Sequence, residues 1–436
     1  MAKHFAGAQI RTVRTSRGLT QVEMARKLDI STSYLNQLEN DQRPLTVTVL
    51  LQLSRVFGLD ASVFSPDAQR RTVSELAELL PDVDGSELHD FAARYPTVAQ
   101  AVLGIPSLVG TAADNPHLII RDFFQDHENY FHDLDVAAEH FAAQAPSRQL
   151  RPTRLAAAFD RDYGYTVRFN QYPSGARSVV DEEERAVRLR TGLTEAQQCF
   201  ELSYHYGLLA HEQLITALVD HLPTPPAREL GRHGLGQYFA AAVTMPYGEI
   251  LAAAEATRYD IDMIAAQFGT GFESTCQRLG TLQRPGERAV PFAFVRSDRA
   301  GNISKRQSTT SFHFAQRGGT CPLWVVHRAF ETPNRVTRQV AVMPDGQTYL
   351  WIARMVQGPA VGFRVPRQEN AVALGCDTAY AERLVYADGL DLSPDSATPI
   401  GPGCETCPRR GCPQRAFPAM AAAKPNQTTK PNQSGR

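Results

Sequence analysis

Between Leu19 and Thr46 the chain reads LTQVEMARKLDISTSYLNQLENDQRPLT, two short helical patterns on either side of one tight turn. Thr20 and Glu23 have the T-x-x-E spacing of a capping box, which starts a helix at Gln21. Val22, Ala25 and Leu28 recur at helical spacing and give that helix one buried face. Asp29 and Ile30 make the turn, and Ser31 can accept from the free N–H groups of the next helix. Leu35 and Leu38 then face inward, leaving Thr32, Ser33, Asn36 and Gln37 on the outer side. Ile10, Val13 and Arg14 belong to a preceding helix that Gly18 ends. Thr46 caps a following one that carries Val49, Leu50, Leu53 and Phe57 before Gly58. Helices this short must bury their apolar positions against one another.

The outer face has chemistry of its own. Small polar and amide side chains can enter the major groove and bond base edges, with Gln or Asn suited to adenine. In such a pair the second helix reads bases while the first lies across the backbone. Gln21 and Arg43 are placed to reach phosphates, so Gln21, Thr32, Ser33, Asn36, Gln37 and Arg43 are the expected DNA contacts. Charge adds little. Residues 1–64 carry eight Lys+Arg against five Asp+Glu, a net of +3, in a chain of formal net charge −1. A helical bundle that binds protein is the alternative. The run Tyr34–Asn40, YLNQLEN, resembles the phage-repressor-like (XRE) helix-turn-helix family. That resemblance implies a homodimer reading paired half-sites in double-stranded DNA.

At 436 residues the chain has room for two to four domains. Its 43% hydrophobic and 21% charged residues suit a soluble globular protein. It has no long uncharged apolar run, and its start, MAKHFAGAQIRTVR, lacks the apolar core of a signal peptide. No membrane partner and a cytoplasmic location are expected. Seven cysteines in such a chain favour free thiols, a metal or a cluster over a disulfide framework.

Past the first unit, Leu76, Leu79 and Leu80, then Leu88, Phe91 and Tyr95, mark helix faces in a charged region that spaces or pairs the heads. IRDFFQDHENYFHDLDVAAEHFA has aromatics at helical spacing, read as core or dimer packing. GYTVRFN and RAVRLR alternate like strands. Two long helical stretches follow, and after Pro291 strands return. RQVAVMPDGQTYLWIARMV reads as a hairpin with Asp345-Gly346 at its turn. The tail AAAKPNQTTKPNQSGR has no apolar run and reads as disordered.

HEQLI at His211 fails as a zinc-peptidase H-E-x-x-H motif, because position 215 is Ile. FELSYHYGLL, with YFAAAVTMPY, resembles the IrrE/ImmA-like metallopeptidase domain. The ligand and base positions of that family fall on Tyr204, His205 and Leu208, which cannot supply two imidazoles and a carboxylate. A degenerate, inactive fold is expected, with His205 and His211 structural. Its cleft, lined by Tyr204, Tyr206, Tyr238 and Tyr247, can serve as a pocket. The alternative is a working metallopeptidase that cleaves a repressor partner; an antitoxin-like protein fits the long body poorly.

RPGERAVPFAFVRSDRAGNISKRQSTTSFHFAQRGGTCPLWVVHRAF places Lys305 and Arg306 side by side, with Ser304 and Ser308 close by. Cations with hydroxyl donors suit phosphates; a solvated charge pair is the alternative. The order of helix-turn-helix, degenerate IrrE-like domain and this block with a Cys-rich end resembles the short-chain fatty acyl-CoA regulators, transcription factors of the PrpR/RamB type. The resemblance runs from about residue 5 to residue 418. It implies a regulator of propionate and acetate metabolism genes controlled by acyl-CoA, with an iron–sulfur cluster. Arg296, Lys305 and Arg306 are then the candidate coenzyme A anchors, with Tyr238 near the acyl end.

GCETCPRRGCPQRAF gives Cys404-x2-Cys407-x4-Cys412. A four-thiolate set needs one more ligand: Cys376 is the first choice and Cys321 the second. Cys199 and Cys276 read as buried thiols. Either zinc or a cluster accepts this spacing, and the resemblance implies [4Fe–4S]. The expected fold is multidomain α+β. It comprises an all-α helix-turn-helix head (1–65), a helical linker (66–150), a degenerate IrrE/ImmA-like α+β domain (151–265), a β-containing acyl-CoA-regulator domain with the Cys-rich loop (266–418), and the tail (419–436).

Overall fold

Thr20 and Glu23 close the expected capping box: Thr20 Oγ1 accepts from Glu23 N at 3.2 Å, and Glu23 accepts from Thr20 N at 2.8 Å. The computed structural model describes residues 6–40, 42–57, 66–80, 83–108, 115–145, 147–170, 176–312, 314, 319–358, 363–364 and 366–416; the tail expected at 419–436 lies outside them. Helices α1 (Gly7–Ser16), α2 (Gln21–Lys27), α3 (Thr32–Glu39) and α4 (Val47–Phe57) form the head. Asp29 takes the left-handed turn conformation (φ 53°), and Ser31 caps α3 through Tyr34 N. Ile10, Met24, Ala25, Leu28, Leu35, Leu38, Val49 and Leu53 share one core. Val22 does not: it is 53% exposed, and Met24, four residues before Leu28, takes the inward place. In the same compact unit α5 (Pro66–Leu79) packs on α6 (Gly85–Arg94) and α7 (Pro96–Leu108) around Leu76, Leu88, Ala92 and Ala99. Tyr95, expected on a helix face, is the exposed residue that ends α6.

The second unit starts with α8 (Pro116–Asp126), α9 (His132–Ala143) and α10 (Arg151–Tyr163). A small sheet follows, β1 (Thr166–Asn170), β2 (Ser178–Asp181) and β3 (Ala186–Arg190), in the order β1-β3-β2. Then come α11 (Glu195–Ala210), α12 (Glu212–Val219), α13 (Pro225–Thr244), α14 (Tyr247–Ala256), α15 (Ile261–Phe268) and α16 (Phe272–Leu279). Helices α11 and α13 pack closely because Gly207 and Gly236 face the contact. A Cβ on Gly207 would sit 2.5 Å from the Phe239 ring, and one on Gly236 3.0 Å from Leu208 and Tyr204.

The remaining strands are β4 (Ala293–Ser297), β5 (Ile303–Ser308), β6 (Thr337–Val342), β7 (Thr348–Gln357), β8 (Glu369–Asp377) and β9 (Thr398–Pro399), with α17 (Val325–Arg328) between β5 and β6. They form one sheet in the order β5-β4-β8-β7-β6-β9, and β6–β7 is the expected hairpin. Phe292, Phe294, Leu350, Ile352, Val372 and Leu374 meet Tyr247, Ile250, Ile264 and Leu279 of α14–α16 in one core. The expected border at 265/266 therefore cuts through α15, a helix whose apolar face belongs under this sheet. Of the described residues, 311, 312, 314 and 402–416 fall in the same compact unit as the head. Among the described residues no helix is long and apolar enough to cross a membrane.

Candidate functional site

On α3, Thr32, Ser33 and Asn36 are exposed and Gln37 is half-buried, so the outer face stands as expected. What holds it is Glu39, a carboxylate only 3% exposed. Arg14 donates to it from Nε (2.6 Å) and Nη2 (3.1 Å), and Gln21 Nε2 donates at 2.8 Å. Gln21, expected on a phosphate, is thus tied to α3 in the free protein. Asn36 Oδ1 accepts from Gln21 (3.3 Å) and Asn40 (2.9 Å), which occupies the acceptor that adenine would need. Arg43 lies 6.0 Å from the Tyr34 ring centre.

In the enzyme-like helix α11, Tyr204, His205 and Leu208 take up other duties. Ser178 Oγ donates to Glu201 at 2.5 Å and accepts from His205 Nε2 at 2.9 Å. Ser178 therefore gives its proton to Glu201, and His205 acts as a donor toward it. That order cannot activate a serine nucleophile. Burial lowers the His205 pKa to about 4, so the imidazole is neutral near pH 7. Gln237 Nε2 lies 2.8 Å from His233 Nε2, and Tyr204 Oη 2.8 Å from His233 Nδ1. With Gln237 donating, His233 carries its proton on Nδ1 and donates to Tyr204. Burial, then the Lys305 charge, lowers the His233 pKa. His211 ends α11 with its ring 4.8 Å from that of Phe239.

Tyr238 and Tyr247 are core residues. The Tyr238 hydroxyl donates to Asp135 and accepts from Phe131 N, so it is already committed. Asp135 and Arg278, both with side chains 0% exposed, form a two-point pair with both contacts at 2.9 Å. Arg278 also donates to Met245 O (3.0 Å) and Thr281 Oγ1 (3.1 Å). This triad joins α9, α13 and α16. Sequence reasoning missed it, since a buried Asp and Arg 143 residues apart leave no periodic trace.

The expected anion site divides across a strand. Lys305 and Arg306 are successive residues of β5 and point to opposite faces. Arg296 lies directly across from Lys305 and shares its face. The Arg296 guanidinium is spent on Glu273 (2.9 Å) and Ser304 (2.9 Å). Lys305 is half-buried and, among the described residues, its amine has no hydrogen-bond or ion-pair partner.

Cys404, Cys407 and Cys412 are half-buried thiols in one loop. Arg415 braces it, donating to the carbonyls of Cys404 (2.7 Å), Cys407 (2.7 Å) and Arg409 (2.6 Å). Ala416 N–H donates to Cys404 Sγ at 3.4 Å, the kind of contact that stabilises a thiolate bound to metal. Thiols are the donor type that a thiolate-held metal centre uses. Among the described residues, no group of three or more His, Cys, Asp or Glu is gathered to hold a metal. Cys376 makes a poor fourth donor. It is fully buried in β8 inside the apolar core, and burial pushes its thiol pKa far up. Cys199 and Cys276 are buried, as expected.

Three family models match the chain: a helix-turn-helix over residues 10–64, an IrrE N-terminal-like domain over 161–280, and the C-terminal domain of short-chain fatty acyl coenzyme A regulators over 281–433. The HTH-type transcriptional regulator PrpR of Mycobacterium tuberculosis is 42% identical, over 96% of this chain and 93% of that protein. The regulator RamB of the same organism is 40% identical, over 97% and 96%. A propionyl-CoA carboxylase regulator of Cereibacter sphaeroides is 39% identical, over 96% and 95%. A solved structure of a Mycobacterium tuberculosis transcriptional regulator superposes with TM-score 0.67 at 44% identity, covering 70% of this chain and 94% of that one. With its exposed α3 face and a peptidase-like body lacking the peptidase's ligands, the chain belongs to the short-chain fatty acyl-CoA regulator family of helix-turn-helix transcription regulators.

Proposed function

We propose that this regulator controls genes of short-chain fatty acid metabolism, those for propionate or acetate, and that a short-chain acyl-CoA is its effector. The observation that carries the effector reading is Lys305, a half-buried cation on an edge strand whose amine, among the described residues, has no hydrogen-bond or ion-pair partner. Such a charge calls for an anionic ligand. Arg306 serves the opposite face of β5, where it can meet the phosphates, while Arg296, paired with Glu273, borders the Lys305 face without gripping the anion itself. Tyr238, bonded to Asp135 and Phe131 N inside the core, ties α13 to α9 and has no hydroxyl to offer the acyl end. The body has no peptidase activity, because the metal-ligand positions hold Tyr204, His205 and Leu208. The head reads paired half-sites as a homodimer.

Cys404, Cys407 and Cys412 would hold a [4Fe–4S] cluster, with zinc as the alternative; Cys376 and Cys321, the fourth-ligand candidates of the sequence, are both buried. When bound, such a cluster supplies a redox-sensitive centre and a second input. Arg415 orders the loop that presents the thiols.

Titration calorimetry of the full chain tests the effector. Acetyl- or propionyl-CoA should release heat, and Arg306→Ala should weaken binding about tenfold, as expected for one charge-assisted hydrogen bond. No heat from any coenzyme A thioester on folded protein rules the effector out.

A further inference from the structure

This chain uses lysine sparingly. Its lysines are Lys3, Lys27, Lys305, Lys424 and Lys430, within 45 Lys+Arg residues. Every cation between Lys27 and Lys424 is an arginine except Lys305. As a phosphate grip alone, arginine would serve better there, because its fork binds two oxygens and stays charged when buried. Lysine offers something different: an amine that gives up its proton on burial and then attacks carbonyl carbon.

The surroundings of Lys305 favour that use. The charged and titratable groups acting on it are Glu273 of α16, Arg296 of β4 and His233 of α13. Glu273 is already paired with Arg296, and both ring nitrogens of His233 are engaged. Among the described residues, no hydrogen bond or ion pair holds the amine as an ammonium, although the nearby Glu273 charge favours that form. Burial lowers its pKa to about 8, with Glu273 opposing and Arg296 adding to the shift. Two residues along the same strand face, the Gln307 Oε1 is buried and, among the described residues, lacks a donor.

We propose that Lys305 is a self-acylation site for short-chain acyl thioesters. Its neutral Nζ attacks the thioester carbonyl carbon, forming a C–N bond as the C–S bond breaks. The proton lost by the amine ends on the departing sulfur, so the products are an amide on Lys305 and free coenzyme A thiol. No oxidant, reductant or further co-reactant is required. The amide is uncharged, which removes the cost of a buried ammonium. Its N–H is also a donor of the kind that Gln307 Oε1 lacks. An acylated chain loses one cation from the site, so it binds the next thioester more weakly and keeps a covalent record of exposure. This inference rests on the acyl-CoA reading above.

The test incubates the full chain with propionyl-CoA at a pH near the pKa of the amine and maps acylated peptides by mass spectrometry. Exposed Lys27 is the internal reference, and calorimetry with propionyl-CoA runs in parallel on wild type and Lys305→Arg. The larger neutral fraction, partly offset by lower basicity, should make Lys305 react roughly tenfold faster than Lys27. Lys305→Arg should lose the acyl group incorporated at position 305 and leave that on Lys27 unchanged. Binding without preferential acylation of Lys305 overturns self-acylation and leaves the effector reading intact. No binding by either protein overturns both.

Discussion

Asp135→Ala should lower the stability of the second unit by about 3–5 kcal/mol, the usual cost of leaving one member of a buried ion pair unpaired. The Arg278 guanidinium would remain fully buried with no counter-charge, and the Tyr238 hydroxyl would lose its acceptor. Tryptophan fluorescence during denaturation reads this unit alone, because both tryptophans, Trp324 and Trp351, lie within it. The double variant Asp135→Leu/Arg278→Met removes both charges and should recover most of the loss, since apolar groups of similar volume often replace buried pairs at little cost. A single-variant loss under about 1 kcal/mol would mean that water reaches the pair and that the triad does not clamp α9, α13 and α16.

Glu39→Ala should disable the head more completely than any change on its outer face. It removes one buried carboxylate that accepts from Arg14 and Gln21 and so holds α1, α2 and α3 together. About 2–4 kcal/mol of stability should go, seen as faster hydrogen exchange across α1–α4. DNA affinity should fall with it, at every sequence. Gln37→Ala should instead leave the head folded and lose about 1–3 kcal/mol only at sites with the preferred base. If Glu39→Ala binds DNA as wild type does, the position of α3 is set by its apolar face alone.

The head was legible because its signals are local. A capping box, a serine cap and apolar spacing sit within a few residues of what they determine. Val22 misled because spacing does not say which of two apolar positions two residues apart points inward, and Met24 won that place. The body was less legible for two reasons. Some clues were present and underused: ISKRQS alternates as a strand, which already sends Lys305 and Arg306 to opposite faces, and AVALGC is an apolar run that buries Cys376 in a sheet. Other facts have no local trace. Asp135 finds Arg278, and Asn129 finds the Ser308 carbonyl, only after the chain has folded across well over a hundred residues.

Coupling between thioester and DNA is a difference in free energy and works in both directions. The direct measurement is the affinity of the full chain, cofactor-loaded, for DNA it has selected from a random pool, with and without saturating propionyl-CoA. A change of about 5–150-fold in either direction is the expected coupling. Equal DNA affinity in the two conditions, with thioester shown to be bound, would contradict the claim that the body governs the head.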